Sequence, residues 1–308
     1  VHNKEGGILL IMERKNTNGR FLTVTILNVI ITVFEFFGGI LSGSLALLSD
    51  AFHNFGDALS VILSYLAHRI GQRLPNSSNT FGYRRIEILT ALLNAALLIG
   101  ISLFLLIEAI RRFFHPETIS GGIMFWVAVI SFLANFLATL LLNRDSKHNL
   151  NIKAAYLHML SDALASIGVI ISAALIFFFK VYWVDPLVTI FVSLYIMYES
   201  WPIIKQTFVI LMEGSPLLDY EKIEADLLQL PQVTGVHHFH AWQIDENQIC
   251  VSLHLNLEDL PLSQTEKIYS EVENLLKDKY HVYHVTIQAE CHRGKDEKLF
   301  LTKKHTGD

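Results

Sequence analysis

The sequence predicts a membrane domain of six helices followed by a small α+β domain with elements in the order αββαβ. Three observations carry that prediction. From about residue 21 to about residue 212 the chain is mostly apolar, and beyond that it becomes ordinary soluble sequence. The apolar part divides into runs near the ~20 residues that a helix needs to cross the hydrocarbon of a bilayer. In the polar part Ile249, Val251, Leu253 and Leu255 alternate with Cys250, Ser252 and His254, the period of a sheet with one covered face. Over the whole chain 17% of residues are charged, where soluble domains carry about a quarter. The expected divisions are 1–20, an N-terminal segment; 21–212, the membrane domain; 213–293, the compact domain; and 294–308, a flexible tail.

The segment 1–20 mixes Lys4, Glu5, Glu13, Arg14, Lys15 and Arg20 and has no apolar stretch leading to small residues, so no cleaved leader is expected. The first span is expected over 21–40, with one acid, Glu35. The second, 45–67, carries Asp50, His53 and Asp57. The third covers 88–107, and the fourth, 119–142, contains no charge. The apolar stretch 154–204 is too long for one helix and is broken at KVYWVDP. There Lys180, Asp185 and Pro186 are expected to turn the chain between spans at 154–179 and 184–207. Basic residues set the direction. With the N-terminus inside, the inner segments hold Lys4, Arg14, Lys15, Arg20, Arg69, Arg73, Arg84, Arg85, Arg144, Lys147 and Lys153, while the outer loops hold only Arg111, Arg112 and Lys180. Both termini are therefore expected in the cytoplasm.

The compact domain reads as a helix at 219–230, strands at 233–244 and 248–257, a helix at 263–280 and a strand at 282–290. Two helices on one face of three strands make a small two-layer unit. Its open edges and modest core would gain from pairing with a second copy. Cys250 and Cys291 make no disulfide framework, and a net charge of −5 gives no argument for nucleic acid as a partner.

The chemistry concentrates in two repeats, HNFGDALS at 53–60 and HMLSDALA at 158–165. Residues i and i+4 share a helix face, so His53 with Asp57, and His158 with Asp162, each point one way, with Asp50 on the face of the first pair. A lone His-x-x-x-Asp is ordinarily a local hydrogen-bonded pair, but ionisable groups at mid-membrane are costly and face a partner or water. Two imidazoles and two carboxylates are a ligand set for tetrahedral Zn²⁺. Two aspartates bring −2, so the set is neutral with one divalent cation or with two protons, and exchange of one for the other follows. Asp50 reads either as a helix cap or as a carboxylate on the entry path. Glu35 and Glu199 read as interhelical hydrogen-bond partners, and Asn54 and Asn135 as helix–helix contacts or, alternatively, as residues lining the path.

With GSLALLSDAFHNFGDALS, FGYRRIEIL, HMLSDALASIG, VDPLVTI, LMEGSP and VHHFHAWQI spread over nearly its whole length, the chain resembles the cation diffusion facilitator family of zinc transporters. The resemblance implies a homodimer in the lipid bilayer with six spans and a ferredoxin-like cytoplasmic domain. It implies export of Zn²⁺, with Co²⁺ and Cd²⁺ admitted, driven by inward protons through alternating access, and no organic cofactor. It places His53, Asp57, His158 and Asp162 on the transport site, in the pattern of the zinc-selective branch. It places His237, His254 and Glu290 on a cytoplasmic metal site, with Cys291 and His292 as further donors, and Arg85 with Glu213 on a charge interlock between protomers. Asn79 and Tyr83 stand where bacterial relatives carry a loop metal site, so none is expected there. Gln288 and Glu266 replace cytoplasmic histidines. The short N-terminal segment and the loop at 143–153, which lacks a histidine tract, point to a bacterial inner membrane. The competing classes are an intramembrane metalloenzyme, disfavoured because no His-Glu-x-x-His occurs in the spans, and a membrane-anchored metal sensor, for which the paired His-x-x-x-Asp would be superfluous.

Overall fold

The computed structural model describes residues 26–143 and 150–300, with the side chains of residues 142, 150–155 and 158 outside that description. The expected elements in 1–20, at Arg144 and Lys147, and in 301–308 therefore lie outside the described residues. Six helices come first: α1 (Ile26–Ser42), α2 (Leu45–Gly71), α3 (Arg85–Phe114), α4 (Gly121–Asn143), α5 (Leu150–Phe179) and α6 (Val184–Leu211). Then follow α7 (Tyr220–Leu227), β1 (Val233–Gln243), β2 (Ile249–Leu257), α8 (Leu262–Tyr280) and β3 (Val282–Glu290). By length and composition α3, α6, Gly121–Leu141 of α4 and Met159–Phe179 of α5 suffice to cross a membrane. The described part of α1 is shorter, and α2 is long but carries Asp50, His53, Asp57, His68 and Arg69.

Two compact units emerge among the described residues. One is built from the segments up to Leu63 and Leu93–Ile203, the other from Ser64–Leu92 and the chain from Ile204 onward. In the first unit α4 and α5 lie closest together, and the start of α2 packs on them. Ala46 and Leu47 pack with Met124, Val127, Ala128, Val169, Ala173 and Ile176 of α4 and α5, while Leu45 packs with Leu105 and Ala109 of α3. Large apolar side chains such as Leu41, Phe104, Trp126, Phe178 and Tyr198 face outward, and Ser49, Asn54, Asn135, Asp162, Ser172 and Thr189 face inward. That inversion suits a lipid surround, where apolar surface needs no covering and polar groups bond between helices.

The start of α2 is held by a residue far along the chain. The buried Asp185 carboxylate accepts from the Ser44 hydroxyl, from the Leu45 amide at 2.9 Å and from the Ala46 amide at 3.3 Å. Asp185 also lies in the first turn of α6, so one anion faces two helix N-termini, where the backbone amides lack partners and the dipole favours negative charge. This corrects the expected turn: Lys180, with φ of 60°, makes the reversal, and Asp185 and Pro186 open the helix. Arg112 donates to the Gly43 carbonyl at 2.7 Å, and the Ser120 amide to the Ser42 carbonyl at 2.9 Å. Asp185→Ala strands the α2 amides in the interior. Its expected effect is a loss of about 2–3 kcal/mol, read as a lowered melting temperature in detergent, with Asp185→Asn losing less.

In the second unit the strand order is β1-β2-β3, with β1–β2 antiparallel and β2–β3 parallel. The parallel pair requires a crossover, which α8 supplies. Ile223 and Leu227 of α7 and Ile268, Val272 and Leu276 of α8 bury against Val251, Leu253 and Leu255 of β2. The first helix is shorter than expected. Asp219 stays outside α7 and caps it by accepting from the Lys222 amide, and Gln229 and Leu230 close a turn onto Asp226 and Leu227. The Ser64–Leu92 segment docks on the sheet within this unit: Arg84 reaches Asp245 at 3.4 Å, and Phe81 meets the ring of His284 edge-on.

Candidate metal centres

In the first unit, Asp50, His53, Asn54 and Asp57 occupy one stripe of α2 by helical spacing. His53 Nε2 stands 3.7 Å from Asp57 Oδ2, with the two side chains 19% and 29% exposed. The pair thus forms inside the helix as its spacing demands. On α5, Asp162 is buried, and the Ser166 hydroxyl one turn later donates to its carbonyl at 3.0 Å. Asp50 connects the two helices. It is buried and lies near enough to Asp162, His53, Ser166 and Glu35 for each to act on its charge. Gly56 lets α3 close on α2 beside this stripe, since a Cβ there would stand 3.1 Å from Leu98 Cγ.

Several sequence expectations are refined. Asp50 sits beyond the first turn of α2 and is no cap; Ser44 and Asp185 take that role. Glu35 is interhelical as expected, accepting from Asn54 Nδ2 at 2.9 Å. Glu199 is not: it accepts from Tyr195 of its own helix at 2.5 Å. The His158 backbone lies in α5, and its side chain lies outside the described residues.

In the second unit His237 and His254 are cross-strand partners on β1 and β2, and Asn256 pairs with Glu290 of β3. One donor atom each from His237, His254 and Glu290 lies within 4.8 Å of the others. Among the described residues this is the one group of three donors that closes so far; the described donors on α2 and α5 stand further apart. His237 Nε2 is 3.1 Å from Glu290 Oε2 and His254 Nδ1 is 3.2 Å from Glu290 Oε1. Two imidazoles and a carboxylate are zinc's donor types, with one tetrahedral position left over. The Gln288 amide donates to Glu290 Oε1 at 2.6 Å and orients that carboxylate. His238, at φ 51° in the β1 irregularity, stacks on His254 with ring centroids 4.6 Å apart.

After β3 the chain folds back as a strap. Asn256 donates to the Arg293 carbonyl at 2.8 Å, the Phe239 amide donates to the Leu299 carbonyl at 2.9 Å, and Gly294, at φ +65°, lies against the imidazole of His237. Cys291 is exposed and Cys250 buried, both free. Sequence reading missed the strap, although Gly294 after the last strand was a visible signal. It also missed Asp185 as a cap, because nothing local links it to a helix 140 residues earlier. Arg85 and Glu213 meet at 3.3 Å within one chain, both exposed, a pairing worth little by itself.

Burial, followed by the neighbouring His238 and His237, holds His254 below the ordinary imidazole value against the pull of Glu290. Burial pushes Glu290 up, but the Gln288 amide, His254 and His237 outweigh it and hold the carboxyl below its usual range. Both groups bind fewer protons folded than unfolded, so stability is present above their unfolded values and falls as pH drops through the folded ones. Zinc affinity of this cluster and stability of the domain are expected to decline together from about pH 6.5 downward, checked by zinc titration and thermal melting across that range.

The cation efflux transmembrane domain matches residues 21–212, and the cytoplasmic domain of cation efflux proteins matches residues 216–292. The chain is 37% identical over 281 residues to the zinc transporter ZitB of Pectobacterium atrosepticum, covering 90% of this chain and 87% of that protein. It is 35% identical over 310 residues to the cadmium, cobalt and zinc/H(+)-K(+) antiporter of Bacillus velezensis, covering 99% and 96%. It is 34% identical to the metal cation efflux system protein CzcD of Cupriavidus metallidurans, covering 84% and 82%.

Proposed function

Because the chain belongs to the cation efflux family, we propose that it is a secondary transporter that expels Zn²⁺, with Co²⁺ and Cd²⁺ as further cargo, in exchange for protons. The relatives carry zinc transport and antiport in their names, with potassium as a second counter-ion in the Bacillus proteins. The family is one of transporters, not enzymes. The observation that carries the reading is the set of Asp50 and Asp162, buried, and His53, half-buried, on α2 and α5 inside one apolar unit. Acidic groups drawn together inside an apolar bundle call for cationic partners.

The cargo site is His53, Asp57, His158 and Asp162. Ligand by ligand, two imidazoles favour zinc over manganese or iron. The helices span a bacterial inner membrane six times with both termini in the cytoplasm, and two copies pair through the sheet domain, with Arg85 and Glu213 at the seam. Alternating access shifts α2 and α5 against neighbouring helices and opens the site to each side in turn. Metal on His237, His254 and Glu290 favours the transport-competent dimer. The test is zinc flux in proteoliposomes under an imposed pH gradient, followed with an internal dye. Flux that tracks the gradient is the expected result. No flux, with zinc still bound by the sheet domain, would leave only an anchored sensor.

A further inference from the structure

Beside the cargo cluster stands a second polar group that the cluster does not use. Glu35 of α1, Asn54 of α2, and Ser131 and Asn135 of α4 are each at most 1% exposed. Asn54 Nδ2 donates to Glu35 Oε2, but Glu35 Oε1 and Asn54 Oδ1 are buried with no hydrogen-bond partner. The Ser131 hydroxyl faces Glu35. Asn135 lies one turn along the same face of α4, and both atoms of its amide are buried and unpartnered. Each such atom is destabilising unless something bonds to it.

The oxygens in this group are of one kind, carboxylate, amide and hydroxyl, with neither imidazole nor thiolate among them. Hard cations favour an all-oxygen set of this kind, whereas zinc favours a set that includes imidazole or thiolate. An ionised Glu35 would bring one negative charge to oxygens that are otherwise neutral, a balance that a monovalent cation meets. Asp50 is within reach of Glu35 but also faces Asp162 and His53, so an ion here would be sensed by the cargo cluster. We propose that Glu35, Asn54, Ser131 and Asn135 form a subsite for an alkali cation, carried as a counter-ion beside the divalent cargo. This rests on the antiport reading above.

Rubidium is the probe for binding. Thermal melting of the detergent-solubilised full-length protein is expected to rise with Rb⁺ relative to N-methylglucamine. Glu35→Gln and Asn135→Leu should weaken that response by about tenfold or more while a zinc-induced rise, the folding control, remains. In proteoliposomes at equal pH on both sides, an opposing potassium gradient is expected to drive zinc flux in the wild-type protein. Melting indifferent to Rb⁺, or a response unchanged in both variants, overturns the subsite. So does zinc flux that follows only the pH gradient, which would leave a proton as the sole counter-ion. Rb⁺ binding lost in both variants, with no zinc flux under any gradient, would uphold the subsite and fault the transport reading instead.

Discussion

Asp57→Ala and Asp162→Ala are each expected to abolish pH-driven zinc flux while the protein still inserts and folds. Disturbing groups that merely orient a ligand costs metal affinity about 10–100-fold, and removal of a carboxylate ligand exceeds that, because the remaining set no longer balances a divalent charge. His237→Ala, in the other unit, should leave flux within a few-fold of wild type. His53→Asp is expected to relax selectivity towards harder ions such as manganese, since an imidazole gives way to oxygen. Flux measured side by side for zinc and manganese decides the matter: an Asp162→Ala protein that transports normally would remove α5 from the cargo site.

Gly294→Val is expected to disable the sheet-domain cluster. A Cβ at Gly294 would lie 2.6 Å from Cδ2 and 2.7 Å from Cε1 of His237, well inside contact distance. The ring cannot retreat freely, because its Nε2 is held by Glu290 and the residue is 2% exposed. The backbone adds to the difficulty, since φ of +65° is a conformation that costs a side chain about 1–2 kcal/mol. The domain should lose about 2–4 kcal/mol in total and its zinc response in a titration should disappear. Gly294→Ala should fall between the two. An undisturbed titration in the valine variant would show that the strap and the cluster are independent.

What could be read before any coordinates followed the strength of local signals. The α5, α8 and β3 bounds came within a few residues of expectation because apolar runs and strict alternation are properties of contiguous sequence. The His53–Asp57 pairing followed from helical spacing alone. Three features escaped. Asp185 holds the start of α2, a contact between residues 140 apart that no periodicity encodes. Glu199 turned to Tyr195 in its own helix, and a helical i, i+4 neighbour competes with any interhelical partner. The strap at Gly294 depends on how the chain returns across a finished sheet. Donor types were legible from the residues, and their distances were not.

The Asp185 tether has a mechanical consequence. With the first amides of α2 fastened to the head of α6, and Gly43 fastened to Arg112, the Ser44 end acts as a fulcrum. Asp57 lies thirteen residues further on, a lever of about 20 Å at 1.5 Å per residue. Rotating that lever by about three degrees carries the Asp57 carboxylate roughly 1 Å sideways, several times the ~0.2 Å tolerance of a coordination bond. A barely perceptible swing of one rod would therefore be enough to let an ion go.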